Sequence, residues 1–147
     1  MIKISRLADY AVVVLAQLAQ QDKPASSTVL AGRSHLPEPT VAKVLKLLAR
    51  AGLLQSIRGI NGGYQLTKLP TQIDIAQIIT AVEGPVYLTA CIEGAQDVCD
   101  HHRHCALKGR WDDVNIVIRE ALETVTLADM MTAPKCTTKE TVIHERL

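Results

Sequence analysis

Three cysteines lie close together in a polar stretch of the chain, and their side chains are the best candidates for chemistry. They are Cys91, Cys99 and Cys105, separated by seven and then five residues within the segment CIEGAQDVCDHHRHC. The segment lacks the apolar periodicity of a core helix or strand, so we predict a loop. Thiolates are soft anionic ligands, and a loop that packs little but carries three of them favours a metal or iron–sulfur site.

Two ordinary roles for cysteine fit this segment less well. An isolated cysteine is often a small buried hydrophobe, but three within fifteen polar residues are a poor match for that role. Disulfides would require export, and the first residues, Met-Ile-Lys-Ile-Ser, do not resemble a signal peptide. No uninterrupted apolar run reaches membrane-spanning length. We therefore expect a soluble, cytoplasmic protein without a membrane partner, in which clustered cysteines serve metal or redox chemistry.

Charge is divided unevenly along the 147 residues, a length that fits one domain or a small domain with an arm. Residues 1–70 contain nine Lys and Arg against three Asp and Glu, whereas the remainder contains seven against twelve. A basic first half joined to an acidic second half indicates a module for a polyanion followed by a sensory or assembly module.

Within the basic half, residues 26–52 carry the pattern of a helix-turn-helix. A short helix after Ser26 ends near Ser34, and a second helix runs from Pro39 to just before Gly52. In the second helix an apolar set of side chains faces inward: Val41, Val44, Leu45 and Leu48. A cationic set shares the opposite side: Lys43, Lys46 and Arg50. A solvated basic face would show the same stripe, so this motif alone does not decide between the two interpretations.

The next segment favours DNA binding. Residues 53–58 and 64–67 are plausible strands around Gly-Ile-Asn-Gly-Gly, whose glycines and asparagine suit the positive φ angles of a hairpin tip. Arg58 lies at that tip, where its side chain would reach a minor groove. The glycines do not form a phosphate-binding loop, because no Lys-Ser/Thr follows them. A helix-turn-helix followed by a basic hairpin is a winged helix.

Three further helices are predicted around this module. The first spans Ser5–Gln21, and another begins after Asp74, with Gln77 completing a reciprocal cap. The third runs from Trp111 to about Met130 as a single long helix, with an apolar stripe of Trp111, Val114, Ile118, Leu122 and Val125. Such a stripe suits a partner helix, although it would also suit packing within the chain, and we favour a homodimer.

The pieces, in this order, resemble the IscR and NsrR family of winged-helix transcription regulators. The resemblance covers roughly residues 1–131. Within the family, the chain is similar above all to regulators of the SUF iron–sulfur assembly system. Besides the three cysteines, it is carried by ISRLADYA (4–11), PTVAKVL (39–45), RGINGGY (58–64) and AVEGP (81–85). It implies a homodimer that binds double-stranded promoter DNA, as a repressor of iron–sulfur assembly genes, and carries a [2Fe-2S] or [4Fe-4S] cluster that changes DNA affinity. The DNA contacts it implies are Pro39, Thr40, Lys43, Lys46, Arg50, Arg58, Asn61 and Gly62.

The chain departs from the family pattern at the fourth cluster ligand. IscR-type members have a histidine three residues after the third cysteine, where this chain has Lys108. NsrR-type members use an aspartate from the first helix of the partner subunit, and the matching residue here is Asp9. The resemblance thus implies Cys91, Cys99, Cys105 and a partner's Asp9 as ligands. The alternatives within the loop are His101, His102 and His104, whereas Cys136 matches nothing in the pattern.

The predicted architecture is mainly α with a small β-wing. It has a winged helix-turn-helix over residues 1–70, a cluster-binding loop and long dimerisation helix over 71–131, and a flexible tail over 132–147. One alternative retains the DNA reader but makes the loop a zinc site of Cys99, Cys105 and two histidines. Another is a thiol redox sensor without a cluster. No motif of a hydrolase, nucleotide-binding or thiol redox enzyme is present, so we do not expect an enzyme.

Overall fold

The first helix, α1 (Arg6–Ala19), lies at the centre of the fold, because most of the helices that follow it pack against it. The computed structural model describes residues 3–92, 94–95, 99 and 104–132. The side-chain oxygen of Ser5 begins α1 by accepting the Ala8 N–H at 3.1 Å. The inward side of α1 is buried along the length of the helix and consists of Ala8, Ala11, Val14, Leu15 and Leu18.

The helix-turn-helix is formed by α2 (Ser27–Ser34) and α3 (Glu38–Arg50). The turn between them is sharp because His35 takes the left-handed conformation, with φ 55°. A hydrogen bond from the Thr28 hydroxyl to the Glu38 carboxylate, at 2.6 Å, joins the first turns of the two helices. The inward residues predicted for the second helix are fully buried, as expected: Val41, Val44, Leu45 and Leu48.

The wing is an antiparallel hairpin of β1 (Leu54–Ile57) and β2 (Gly63–Leu66). Ala25, just before α2, pairs with β2 as well: its N–H donates to the Tyr64 carbonyl at 3.1 Å and its carbonyl accepts the Tyr64 N–H at 2.8 Å. A Cβ on Gly63 would lie 2.5 Å from the Ala25 backbone, and the φ of Gly63 is 152°, so only glycine fits there. The wing is therefore fixed to the helix-turn-helix by backbone hydrogen bonds.

The conformation of the wing tip differs from the prediction in one detail. Gly59 and Gly63 take positive φ angles, of 113° and 152°, whereas Asn61 does not. Gly62 is required for another reason, since a Cβ there would collide with the Ile57 carbonyl oxygen.

A turn of 3₁₀ helix (Pro70–Gln72) leads into α4 (Ile75–Glu83). Asp74 caps α4 by accepting the Gln77 N–H at 2.8 Å. The reciprocal bond predicted from the Gln77 side chain is wrong, because its Oε1 is buried without a partner among the described residues. Ile73 and Ile78 are fully buried in the same core as α1 and α3, so this core continues past residue 70.

The single long helix predicted from Trp111 to Met130 is also wrong. The chain forms α5 (Arg110–Glu123) and then a separate α6 (Leu127–Met131). Thr126 begins α6 in a capping box: its hydroxyl accepts the Asp129 N–H at 3.2 Å, and the Asp129 carboxylate accepts the Thr126 N–H at 2.9 Å. Backbone hydrogen bonds on either side of Asp74 stabilise the break between α5 and α6. Leu127 of α6 is fully buried in the main core.

The described residues thus form a mainly helical protein with a two-stranded wing, and the predicted fold class is confirmed. In the part of the chain that the structure describes, no helix is long and apolar enough to cross a membrane.

Candidate metal centre and nucleic-acid interface

The cysteine segment connects α4 to α5. Cys91 and Cys99 are half-buried, whereas Cys105, five residues before α5, is exposed, and all three are free thiols. The placed backbone here forms only turns, such as the one closed by the Ile92 N–H to the Thr89 carbonyl at 3.4 Å. Thiols that are exposed or half-buried remain accessible to a metal from solvent.

The first cysteine has a hydrogen-bonding partner from its own turn. The Thr89 hydroxyl lies 3.1 Å from the Cys91 sulfur. A thiolate has no proton to give, so in the ligating state the hydroxyl must be the donor. Metal-bound thiolates commonly accept such a bond from a neighbouring hydroxyl, which orients the sulfur. The donor set at this position therefore fits a thiolate-bound centre.

Other predicted ligands are placed less completely. Of the alternative ligands in the loop, His104 is exposed, while His101 and His102 lie outside the described residues. Lys108, which stands where IscR-type members have a histidine, is exposed, and Cys136 lies outside the described residues. Among the side chains that are placed, no three or more of the types His, Cys, Asp and Glu converge on a common point that would hold a metal. The ligand set consequently remains a prediction from the sequence.

The predicted DNA-contacting residues lie on the surfaces of α3 and the wing. In α3 the cationic residues Lys43, Lys46 and Arg50 are exposed, opposite the buried side of the helix. Three of the other predicted contacts are also exposed, namely Pro39, Arg58 and Asn61. The remaining two, Thr40 and Gly62, are half-buried. Since each residue is accessible to a ligand, the geometry is compatible with reading a major groove by α3 and an adjacent minor groove by the wing.

Comparison with known proteins decides the family. Residues 4–133 match the model of the Rrf2 family, which is described as an iron-dependent transcriptional regulator. The chain belongs to the Rrf2 family. It is therefore a winged-helix transcriptional regulator and not an enzyme, as its sequence predicted.

Relatives and solved structures extend across nearly the whole chain. The regulator NsrR of Halalkalibacterium halodurans is 30% identical over 132 residues, covering 88% of this chain and 90% of the relative. The structure of CymR, the global cysteine regulator of B. subtilis, superposes with a TM-score of 0.69 at 29% identity, covering 89% of this chain and 97% of CymR. The structure of T. potens IscR superposes with a TM-score of 0.65 at 32% identity, covering 88% and 86%. The resemblance inferred from the sequence motifs is confirmed.

In this Rrf2 chain, Asp9 lies exposed in the first turn of α1. Its backbone N–H donates to the Ser5 carbonyl at 3.1 Å. Its carboxylate makes no hydrogen bond or ion pair with any residue that the structure describes. An acid in a first turn is favoured by the helix dipole, which is a sufficient structural reason for it. An exposed, unengaged carboxylate is equally what a ligand to a neighbouring subunit requires.

Helix α5 of the Rrf2 chain has two apolar sides rather than the one predicted. Ile118 and Leu122 are half-buried, and both line a cleft closed by Ile79 of α4. A second side, which we call the outer face, consists of Val114 and Val117, which are 42% and 63% exposed. Trp111, seven residues before Ile118, lies instead in the row of Ile118 and Leu122. Ile118 and Leu122, which the sequence placed in a dimer stripe, therefore lie beside α4 of their own chain, and their part in a dimer stays a prediction.

The sequence reasoning missed one buried polar residue on α5. Asn115 is 4% exposed, and its Oδ1 accepts the Leu88 N–H at 3.0 Å. The signal was present in the sequence, because Asn115 is spaced three and seven residues before the inward-facing Ile118 and Leu122. An amide in such a row is unusual and indicates a specific partner.

Proposed function

We propose that this protein is a homodimeric repressor whose affinity for promoter DNA depends on an iron–sulfur cluster bound by Cys91, Cys99 and Cys105. Its target genes would be those of iron–sulfur cluster assembly, and its site of action the cytoplasm. The observation that carries the proposal is the set of three free thiols on the connection between α4 and α5, the first with a hydroxyl donor at 3.1 Å. The family description as iron-dependent supports it.

The chemistry of a sensor follows from the ligands. When bound, an iron–sulfur cluster supplies a centre that oxygen or another oxidant can alter and that iron limitation can remove. Three thiolates would hold it firmly on one chain, while a harder fourth ligand would leave one iron more open to attack. A switch from mostly free to mostly bound requires about a 10⁴-fold difference in DNA affinity, or about 5.5 kcal/mol. A few ligand and interface contacts are enough to supply that free energy.

Two other functions use the same cysteines. A zinc site would use Cys99, Cys105 and two histidines, and would give a colourless regulator. A thiol sensor without a cluster is favoured by the similarity to CymR, which is described as a cysteine regulator. In that case the free thiols would respond directly to oxidants.

Anaerobic purification separates the three functions. An iron–sulfur protein is brown and should contain iron and acid-labile sulfide in equal amounts, with two or four of each per chain. A colourless protein with one zinc per chain would identify the zinc regulator. A metal-free, colourless protein that binds its operator only in one thiol oxidation state would identify the thiol sensor and contradict our proposal.

The fourth ligand is proposed to be the partner subunit's Asp9. The carboxylate of Asp9 is exposed and unengaged by the described residues of its own chain, so ligation across the dimer would cost it no existing contact. Asp9→Ala should still assemble the cluster, because the thiolates dominate the affinity. We expect that cluster to decay several-fold faster with oxygen or a chelator, and DNA binding to respond less to it. Loss of absorbance over time and operator titrations measure the two effects.

His102→Ala is the control for Asp9→Ala, and it should change neither property. Asp9→Asn removes the charge at nearly constant size and should behave like Asp9→Ala. If Asp9→Ala keeps wild-type decay and wild-type response while a histidine variant loses them, the fourth ligand lies in the loop.

The proposed DNA-contacting surface is tested by Arg58→Ala. This side chain is exposed at the wing tip, where the guanidinium would enter a narrow, negative minor groove. We expect operator affinity to fall by about 1–3 kcal/mol and the slope of log affinity against log salt to decrease by about 1. Fluorescence anisotropy at several salt concentrations measures both quantities.

Lys68→Ala is a charge-matched control for Arg58→Ala. Lys68 is exposed but follows β2 at the base of the same hairpin, away from the tip. It should leave the affinity nearly unchanged. Equal affinities for wild type and Arg58→Ala at every salt concentration would show that the wing does not contact DNA.

A further inference from the structure

The buried amide of Asn115 links the dimer-facing helix to the cysteine segment, and the packing of α5 does not need it. Ile118 and Leu122, its inward neighbours, are apolar, and an apolar side chain at 115 would pack in the same way. Burying an amide is unfavourable unless its hydrogen bonds are made. The bond from the Leu88 N–H to Asn115 Oδ1, at 3.0 Å, satisfies that need and fixes the backbone at Leu88 relative to α5.

From Leu88 a short series of contacts reaches the first cysteine. Thr89 follows Leu88 directly, and its hydroxyl lies 3.1 Å from the Cys91 sulfur. The Thr89 carbonyl also accepts the Ile92 N–H at 3.4 Å, which closes a turn around Cys91. Ile92 is 7% exposed, so the turn is anchored by a buried side chain. The position of Cys91 is therefore set by a turn that begins next to Leu88, and Leu88 is bound to α5 through Asn115.

The other end of the series is the outer face of α5. Asn115 follows Val114 directly and precedes Val117 by two residues, and both valines belong to that exposed face. Because α5 is a continuous helix from Arg110 to Glu123, a displacement of its backbone at Asn115 also displaces the outer face. A ligand change at Cys91 thus has a short physical route to the proposed dimer interface.

We propose that Asn115 is a positioning residue that couples Cys91 to α5, through Leu88 and Thr89, so that the state of the cysteine site alters the dimer interface. This inference rests on the proposed iron–sulfur function and specifies how the site regulates DNA binding. Asn115 does not ligate metal. Its amide holds the loop and the helix in one register.

The first test uses the apo protein and does not depend on a cluster. Asn115→Leu keeps the approximate size of the side chain but removes the acceptor. Amide hydrogen exchange at Leu88 should then become about fivefold to tenfold faster, as expected for loss of one buried hydrogen bond. Asn115→Asp retains an acceptor oxygen and should slow that exchange again. Unchanged exchange at Leu88 in Asn115→Leu would overturn the inference.

The second test measures coupling as the ratio of operator dissociation constants with and without the cluster. Asn115→Leu should assemble as much iron and sulfide as wild type, yet reduce this ratio at least fivefold. Leu122→Ala is the packing control: it weakens α5 against the domain but leaves the Leu88 bond, and it should preserve the ratio. An equal reduction in Leu122→Ala, or an unchanged ratio in Asn115→Leu, would mean that Asn115 has only a structural role.

Thr89 provides an independent route if Asn115→Leu does not fold. Thr89→Val is nearly isosteric, lacks the hydroxyl and leaves α5 untouched, and it should also reduce the ratio, while Thr89→Ser should restore it. A wild-type ratio in Thr89→Val would overturn the coupling route. Should the wild type bind no cluster at all, the proposed function fails, whereas the exchange experiment still decides the contact between Asn115 and Leu88.

Discussion

Replacing Val117 by glutamate is expected to convert the proposed homodimer into a monomer. Val117 is the most exposed residue of the outer face of α5, at 63%, and Val114, three residues earlier, extends the same face toward the start of the helix. A second copy of the chain would bury this face, and a buried, unpaired charge costs about 3–5 kcal/mol. The dimer dissociation constant should therefore increase by a factor of between about a hundred and several thousand. Sedimentation velocity at micromolar concentration measures the change, and operator affinity should fall with it, because one monomer reads only one half-site.

Ile116→Glu is the matched control for the dimer interface. Ile116 is 41% exposed and adjacent in sequence, but it points to a different side of α5, near Glu120 and Glu123. The same change of charge and size there should leave the dimer intact. If both variants remain dimeric, α5 is not the interface; if only Ile116→Glu dissociates, the interface is on the other side of the helix.

Replacing Cys99 by alanine is expected to abolish cluster binding. Two thiolates and a carboxylate would remain, which is too few soft ligands to retain an iron–sulfur cluster. Visible absorbance, iron and sulfide should all fall to background after anaerobic reconstitution. Operator affinity should match that of the wild-type apo protein, because Cys99 lies on the connection between α4 and α5 and not on α3 or the wing. The variant should therefore be locked in the apo state.

Cys136→Ala separates a specific loss of ligand from a general effect of removing a thiol. Cys136 matches nothing in the family pattern and lies outside the described residues. Its variant should keep wild-type spectrum and metal content. A full cluster in Cys99→Ala, or its loss in Cys136→Ala, would contradict the proposed ligand set.

Local patterns in the sequence determined much of the fold. The inward residues of α3, such as Val44 and Leu48, were predicted from helical spacing and are fully buried. The hairpin after α3 was predicted from glycines between two apolar runs, and it forms β1 and β2. Family membership was predicted from short motifs, and the match over residues 4–133 confirms it. These features depend on residues near one another in the chain, so their spacing is sufficient information.

The cysteine site was only partly determined in this way. Clustered thiols in a polar segment are visible in any sequence, and they predicted the chemistry of the site. The fourth ligand is different, because Asp9 is more than eighty residues from Cys91 and would act from another subunit. Whether the carboxylate or one of the histidines is the ligand depends on distances between two subunits. The spacing of residues along one chain gives no information about those distances.

Tertiary structure alone decided how α5 and its neighbours are used. The apolar stripe predicted a single helix, but the capping box at Thr126 and the backbone bonds beside Asp74 end α5 and direct Leu127 into the core. The stripe also did not show that Ile118 and Leu122 line a cleft with Ile79, or that Val117, which lies outside the stripe, is 63% exposed. Asn115 acquires its role only because Leu88, twenty-seven residues earlier, presents an N–H to it. Helical periodicity shows which residues share a side of a helix, but long-range packing determines what each side meets.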